Sequence, residues 1–243
     1  MSPDRAIALL PLKGHSERVP EKNFRMLVER PLFRWMLDTL LAIPTISQIV
    51  INTDARGVLF QIGLPQSERI LVRDRKPEIC GDLVSMNRII EDDINAVPGD
   101  AYLMTHVTNP FLRAPTIVGA LEAYRRALDR GEADSLFAVN RKQARFYRKD
   151  GSAVNHDPNN LVRTQDLEPW FEENSCLYIF SCESFAKTNA RIGERPMLFE
   201  TPMLESVDID EPDDWALAEA LANVVNRPVC KPPSVRSNHR ECP

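Results

Sequence analysis

The chain has 243 residues, 43% of them apolar, which is enough for one sizeable hydrophobic core. With 30 basic and 35 acidic side chains the formal net charge is −5, which argues against a nucleic-acid partner and confines any anion site to a local cluster of cations. No segment approaches the roughly 20 apolar residues that span a bilayer, and the first residues show no signal-peptide pattern. We therefore expect a cytoplasmic protein without a membrane partner.

The first half of the chain alternates short apolar runs with stretches of helical periodicity. Buried strands are predicted at 6–10, 48–52, 69–72, 101–105 and 135–139. Helices are predicted from Pro31, at about 55–63, at about 84–94 and from Pro115. This alternation is typical of an α/β fold with a doubly wound, mainly parallel sheet, in which ligands bind beyond the carboxyl ends of the strands.

The second half is less regular. Residues 140–175 are rich in Arg, Asn, Asp and Pro, and we expect them to form an excursion from the sheet. Strands are predicted at 176–180 and 205–209, and a helix from Pro212. Its inward side chains are predicted to be Trp215, Ala218, Leu221, Ala222 and Val225. We therefore predict a single domain over residues 1–225 and a disordered tail over residues 226–243.

The cysteines indicate neither a disulfide framework nor a zinc site. They are odd in number, widely spaced and free of any Cys-x-x-Cys pair. They are Cys80, Cys176, Cys182, Cys230 and Cys242.

A basic loop follows the first strand and carries Lys13, Arg18 and Lys22. Its only glycine is Gly14, so the loop is neither a Walker loop nor a dinucleotide fingerprint. Cationic side chains would have to hold phosphate, which suits a triphosphate attacked at its α-phosphorus while pyrophosphate leaves. A solvated surface loop is the alternative.

Two acids, Asp208 and Asp210, stand two residues apart in and just beyond the predicted strand 205–209, so alternation places them on one face. Mg²⁺ prefers one or two carboxylates together with phosphate oxygens and water, which makes the pair a candidate magnesium site. Asp210 could instead cap the terminal helix.

The basic loop resembles the nucleotide-binding motif of the acylneuraminate cytidylyltransferases, which activate sialic and related nonulosonic acids. The matching residues are Lys13, Gly14, Ser16, Arg18, Val19, Pro20, Lys22 and Asn23. The resemblance, from about Ile7 to Leu221, implies a Rossmann-like nucleotidyltransferase fold, CTP as the nucleotide, Mg²⁺ at the Asp-x-Asp pair and a homodimer to which the excursion contributes. It also implies that Ser16 and Asn23 contact the nucleotide. The family commonly has Arg in place of Lys13, and Glu17 adds an acid that we expect to point outward.

Further matches extend the resemblance to the nucleoside. Asn52-Thr53-Asp54 resembles a family Ser-Thr-Asp, with Asp54 expected to cap a helix. Arg73 matches a family arginine that contacts the base, although a surface salt bridge is an alternative. Ser85 matches a nucleotide-contacting serine, and a helix cap by Asp82 is the alternative in that segment.

The sugar site is matched less completely. Residues 105–113 resemble the family's Gln-Pro-Thr-Ser-Pro-Leu-Arg segment, which implies sugar contacts from His106 and Thr108. Residues 173–178 resemble Arg-Pro-Asn-Gly-x-x-Tyr, which implies contacts from Asn174 and Tyr178. The arginine of that motif is missing, so Arg145 or Arg163 could supply the cation for the sugar carboxylate.

These patterns predict transfer of CMP from CTP to the anomeric hydroxyl of an acidic 3-deoxy-2-keto sugar of the sialic, pseudaminic or legionaminic type. One alternative is a 3-deoxy-octulosonate cytidylyltransferase or another sugar nucleotidyltransferase. A glycosyltransferase, whose Asp-x-Asp usually lies mid-chain, and a non-catalytic nucleotide-binding protein are further alternatives.

Overall fold

A computed structural model describes residues 5–225, so the predicted tail at 226–243 lies outside the described residues. The elements in chain order are β1 (Ala6–Leu9), β2 (Met26–Leu27), β3 (Arg30–Pro31), α1 (Leu32–Leu41), β4 (Ile46–Thr53), α2 (Arg56–Ile62), β5 (Ile70–Asp74), α3 (Met86–Ala96), β6 (Tyr102–Thr105), α4 (Ala114–Asp129), β7 (Ser135–Lys142), β8 (Trp170–Phe180), α5 (Cys182–Thr188), β9 (Pro196–Glu200) and α6 (Pro212–Val225). Within 5–225 no helix is long and apolar enough to cross a membrane.

Seven strands form one sheet in the order β5-β4-β1-β6-β8-β7-β9, beside a two-stranded hairpin of β2 and β3. The pairs β4–β5, β1–β4, β1–β6 and β7–β9 are parallel, whereas β8 runs antiparallel to both β6 and β7. Strands β1 and β6 are buried at every residue, as expected for continuous apolar runs covered on both faces. The predicted fold class is confirmed.

The sheet departs from the sequence-based prediction at the excursion. Strands β7 and β8 continue into it and pair from Asn140 with Glu172 to Lys142 with Trp170. The irregular connection is therefore 143–169, shorter than predicted. Antiparallel pairing satisfies the backbone of these polar residues, which composition alone does not reveal.

Two further predictions at the carboxyl-terminal end were wrong. Residues 205–209 form no strand, although the Ile209 N–H donates to the Thr108 carbonyl at 2.9 Å. The last strand is instead β9, an edge strand that pairs only with β7 and begins with a proline, as edge strands allow. On α6 the side chains of Trp215, Ala218 and Ala222 are buried as predicted, but Val225 is 46% exposed because the last turn extends beyond the core.

One core cluster contains side chains from both the early and the late part of the described residues. Val19 of the basic loop and Ile209, between the two acids, are buried together with Trp215 of α6. Trp35 of α1 and Phe111 pack in the same cluster, with ring centroids 5.7 Å apart. This packing fixes the basic loop and the Asp-x-Asp segment on a common support. The described cysteines, Cys80, Cys176 and Cys182, are free thiols.

Candidate active site

The basic loop and the Asp-x-Asp segment meet at the carboxyl ends of the central strands. The Lys22 ammonium donates to the Ile209 carbonyl at 2.5 Å and lies 3.1 Å from an Asp210 carboxylate oxygen. Arg18 lies 3.3 Å from the same oxygen. Lys22 and Asp210, which are 188 residues apart in sequence, are thus in direct contact.

A cleft of about 460 Å³ opens over this junction. Nine of the predicted site residues line it: Lys13, Ser16, Arg18, Lys22, Asn23, His106, Thr108, Asp208 and Asp210. The exposed Glu17, which was expected to point outward, also lines it. The cleft therefore combines three cations from one end of the chain with two carboxylates from the other.

The loop is held in shape by hydrogen bonds to its own backbone. The Gly14 N–H donates to the Asp54 carboxylate at 2.6 Å, and the Asn23 side-chain amide donates to the Lys13 carbonyl at 2.8 Å. Asp54 was predicted to cap α2, but that helix begins after Ala55 without a side-chain cap. The carboxylate is instead used to anchor the basic loop.

Replacing Gly14 by Ala should loosen this anchor. A Cβ at Gly14 would lie 2.7 Å from the Cβ of Ala55, which requires the loop to shift away from Asp54. We expect a loss of about 1–3 kcal/mol of stability and weaker CTP binding, measured by thermal melting and by the KM for CTP. Gly57→Ala is the control, because Gly57 is exposed on α2 with no atom within 4 Å of its added Cβ. It should keep the KM and gain up to about 1 kcal/mol. Equal effects of the two substitutions would contradict the anchoring role.

Asp208 is the member of the acid pair that has a buried carboxylate oxygen, although the residue as a whole is only partly buried. One of its carboxylate oxygens, Oδ1, is buried and has no hydrogen-bond partner. Burial raises the pKa of the Asp208 carboxyl, a hydrogen bond from Thr108 opposes that rise, and the charge of Asp210 adds to it. An unpartnered buried carboxylate oxygen is costly by itself and is well suited to receive a cation.

Asp210 is available to the cleft because another residue caps α6. The Asp214 carboxylate accepts the N–H groups of Asp210 and Glu211 at 3.0 and 2.7 Å. The capping role that the sequence left open for Asp210 therefore belongs to Asp214. The Asp210 side chain remains 47% exposed beside Lys22 and Arg18.

The two outer cations of the cleft have exposed acidic partners. Lys13 lies 2.5 Å from Asp82, and Arg18 lies 2.8 Å from Glu211, with every side chain at least 40% exposed. Such exposed pairs contribute little to stability, so a polyphosphate could displace the carboxylates at small cost. Asp82 thus pairs with the basic loop and does not cap α3.

His106 lines the cleft between charges of both signs. The pKa of His106 is lowered to about 4, mainly by burial; the positive charges of Arg191 and Lys22 contribute to the decrease, and the charge of Asp210 opposes it. The imidazole is therefore neutral at pH 7 and can donate or accept one hydrogen bond without carrying charge.

This neutral state predicts a pH profile. Above about pH 5.5 His106 should contribute no inflection to kcat/KM, and His106→Gln should keep the wild-type profile between pH 6 and 8. The folded pKa is depressed from 6.5, so wild-type stability should fall as the pH drops from about 6.5 to about 4, a loss that the Gln variant avoids. An inflection near pH 6.5 that disappears in the variant would contradict the neutral assignment.

The structure corrects the expectation for Arg73. Its guanidinium lies 2.8 Å from Asp92 and also pairs with Asp93, both on α3, so it is directed away from the cleft. Arg75, just beyond β5, lines the cleft instead and donates to the Asn52 side chain and carbonyl at 3.0 and 2.9 Å. Of these two arginines, which stand two residues apart, Arg75 lines the cleft and the predicted Arg73 does not.

Ser85 is placed at the start of α3, where its hydroxyl accepts the N–H of Asn87 at 3.3 Å. It lies outside the main cleft and lines an adjoining cavity. Ser85 therefore acts as the helix cap that had been considered for Asp82.

The predicted sugar-site residues Asn174 and Tyr178 lie on β8 and do not line the main cleft. The Asn174 amide donates to Asn140 at 3.0 Å and to Thr201 at 2.6 Å, so it ties neighbouring segments together. Tyr178 is fully buried, and its hydroxyl contacts Glu173 and Ser175.

The two cations suggested for the sugar carboxylate are engaged within the 143–169 connection. Arg145 donates to the Val162 carbonyl at 2.6 Å. Arg163 forms a bidentate salt bridge with Asp166, with N–O distances of 2.7 and 3.0 Å. A different cation, Arg191, stacks on Tyr178 near the cleft. Sequence reasoning missed it because it lies in the turn between α5 and β9, outside every motif.

Several known proteins are similar to this chain in sequence. The profile of the cytidylyltransferase family matches residues 7–229. The CMP-N,N'-diacetyllegionaminic acid synthase of Legionella pneumophila is 26% identical, over 89% of this chain and 96% of its own length. The pseudaminic acid cytidylyltransferase of Campylobacter jejuni is 20% identical, over 90% of this chain and 96% of its own length. The N-acylneuraminate cytidylyltransferase of Oncorhynchus mykiss is 26% identical, but the match spans only 49% of that protein.

Solved structures agree on the fold. CMP:2-keto-3-deoxy-manno-octonic acid synthetase complexed with CTP superposes with a TM-score of 0.62, at 15% identity, covering 91% of this chain and 99% of that one. The 4-diphosphocytidyl-2C-methyl-D-erythritol synthase of Anaerococcus prevotii also superposes with a TM-score of 0.62. Its sequence identity is 11%, and the match covers 90% of this chain and 97% of that one. At these identities the likeness concerns the fold. With a basic loop and a carboxylate pair facing one cleft, and a family match across 7–229, the chain belongs to the cytidylyltransferase family and is a nucleotidyltransferase.

Proposed function

We propose that this enzyme transfers CMP from CTP to the anomeric hydroxyl of an acidic 3-deoxy-2-keto sugar of the sialic, legionaminic or pseudaminic type, with release of pyrophosphate. The observation that carries the proposal is the contact of Lys22 and Arg18 with Asp210, in the cleft that is also lined by the partly buried Asp208. The names of the relatives support the substrate class, since three different nonulosonic acids are represented among them.

The acid pair fits Mg²⁺. Within residues 5–225 no three His, Cys, Asp or Glu side chains converge as a metal site, so the protein could supply only part of a coordination shell. Two carboxylates, one with an unpartnered buried oxygen, are what Mg²⁺ takes from a protein when phosphate oxygens and water complete the octahedron. Asp208 and Asp210 would hold the ion, which would polarise the α-phosphate and orient the polyphosphate.

The remaining cleft residues position and neutralise the reactants. Lys22 is only 7% exposed and fixed from two sides, so its charge is preorganised for the phosphates. Arg18 and Lys13 can exchange their exposed carboxylate partners for the leaving pyrophosphate. The sugar hydroxyl would attack the α-phosphorus in line, and no covalent intermediate is required.

We further propose that Asn23 and Arg75 contact the nucleoside, and that His106 and Thr108 face the sugar. The protein would act as a cytoplasmic homodimer. Apolar side chains exposed in and beside the 143–169 connection would be covered by the second copy: Tyr147, Leu161, Val162, Trp170 and Phe171.

Pyrophosphate release tests the proposal. The purified full chain with Mg²⁺ is assayed against CTP, UTP, ATP and GTP, each with N-acetylneuraminic, legionaminic, pseudaminic and 3-deoxy-octulosonic acids. We expect release with CTP and at least one nine-carbon acid. Release with the eight-carbon acid alone would favour the octulosonate alternative. Nucleoside diphosphate as product would indicate transfer or hydrolysis of the γ-phosphoryl group, and this result, or no turnover with any pair, would reject the proposal.

A further inference from the structure

A second cavity, about 330 Å³ in volume, adjoins the cleft. The two share Met86 in their walls, and neighbouring β8 residues, Ser175 in the cleft and Glu173 in the cavity, continue from one to the other. Ser85, Asn87 and Arg191 add polar side chains to a lining that also includes Ala190 and Ile192. The cavity is thus an extension of the cleft with a cation in its wall.

Arg191 is held there by a rigid support. Its guanidinium stacks on the Tyr178 ring at 3.8 Å and donates to the Tyr178 hydroxyl at 3.0 Å. Tyr178 is fully buried in the middle of the sheet, so the cation rests on a strand and not on a mobile loop. The Arg191 side chain is only 20% exposed.

The donors of Arg191 are not used up by these contacts. A guanidinium has five N–H donors in a planar fork. Glu173 is 3.7 Å away, longer than a hydrogen bond, and the Met104 sulfur at 3.9 Å is a weak acceptor. A partly buried guanidinium with unused N–H donors is suited to bind both oxygens of a carboxylate at once.

Arg191 also has the right position relative to the proposed reaction. The Arg191 guanidinium lies 3.9 Å from the sulfur of Met104 on β6, the strand that ends directly before the cleft residue His106. The polyphosphate side of the cleft is occupied by Lys22 and Arg18 around Asp210. Arg191 is therefore a cation near His106 that the nucleotide machinery does not use.

Resting on the proposed function, we propose that Arg191 binds the carboxylate of the sugar acid and selects acids over neutral sugars. It takes the place of the arginine that the family's β8 motif would have supplied, where this chain has Glu172 and Glu173. Glu173 would compete with the substrate for the guanidinium and limit its affinity.

The test compares a keto-sugar acid with its methyl ester, using whichever acid the wild type turns over. The variants are Arg191→Gln, Arg191→Lys and Glu173→Gln, and Arg195→Gln is the matched control, since Arg195 is exposed and bonded to the Gly131 carbonyl. We expect Arg191→Gln to raise the KM for the acid about 10- to 100-fold, leave the KM for CTP unchanged and abolish the preference for acid over ester. Arg191→Lys should retain part of the preference, and Glu173→Gln should lower the KM for the acid.

The outcomes separate the two proposals. Wild-type turnover of an acid with an unchanged acid-to-ester ratio in Arg191→Gln would overturn the role of Arg191 and leave the proposed function intact. A parallel rise in the KM for CTP, or the same effect in Arg195→Gln, would equally overturn it, since the change would then be structural. No turnover of any acid by the wild type would overturn the proposed function and this assignment together.

Discussion

Replacing Asp208 by Asn should abolish turnover and at the same time raise the melting temperature at neutral pH. Loss of one carboxylate from the proposed magnesium pair removes charge stabilisation worth several kcal/mol, so we expect kcat to fall by about three orders of magnitude or more. The stability gain follows from burial, which raises the pKa of the Asp208 carboxyl and makes its ionised form unfavourable in the folded state.

The sign of the stability effect depends on pH. The pKa of Asp208 in the folded protein is raised above the ordinary 3.8, so the ionised carboxylate lowers the free energy of unfolding at neutral pH. Below the pKa of the unfolded chain the carboxyl is protonated in both states, and this destabilisation disappears. The advantage of Asp208→Asn should therefore shrink on acidification. Melting curves with a chelator present measure it without bound metal. Asp213→Asn is the control, because Asp213 is exposed in the first turn of α6 and outside the cleft. Near-normal turnover in Asp208→Asn would reject its catalytic role.

Replacing Lys22 by Met should greatly reduce turnover and should lower the stability of the fold. Lys22 is 7% exposed, and its ammonium satisfies the Ile209 carbonyl and neutralises Asp210. Met keeps the apolar stem but leaves a buried carbonyl without its donor, at a cost of about 1–3 kcal/mol. Loss of a preorganised charge beside the phosphates should lower kcat/KM by about 10²- to 10³-fold.

Lys187→Met is the control for Lys22→Met, since Lys187 is an exposed residue of α5 paired with Glu183. It should keep activity, and its melting temperature should change little. Circular dichroism melting and pyrophosphate release measured on the same samples check both variants. A Lys22 variant as stable as the wild type would contradict the double role of the ammonium, whatever its activity.

The alternating elements of the sheet were predictable because local patterns specify them. Apolar runs such as Ala6–Leu9 and Tyr102–Thr105 are buried on both faces, and the parallel topology then brings their carboxyl ends to one edge. The contact of Lys22 with Asp210 follows from that topology and from motif recognition. The edge strand β9 was not predictable in the same way, because its side chains alternate between exposed and partly buried without a strong apolar run.

The missed site residues depend on tertiary contacts. Arg73 and Arg75 look equivalent in the sequence, and only the carboxylates of Asp92 and Asp93 on α3 decide which of them reaches the cleft. Arg191 is positioned by stacking on Tyr178 of β8, and the sequence spacing of these two residues does not predict that contact. The sequence therefore identifies charged segments that reach the cleft, but it does not decide between two neighbouring arginines and it does not reveal a cation contributed by a turn.

The shared cluster of Val19, Ile209 and Trp215 has a consequence for biosynthesis. The basic loop is synthesised before the side chains of Ile209 and Trp215 that support it, so early segments of the sheet can form before the cleft does. A nascent chain that stalls before α6 emerges should be unable to retain nucleotide, which delays any use of CTP until α6 has been synthesised.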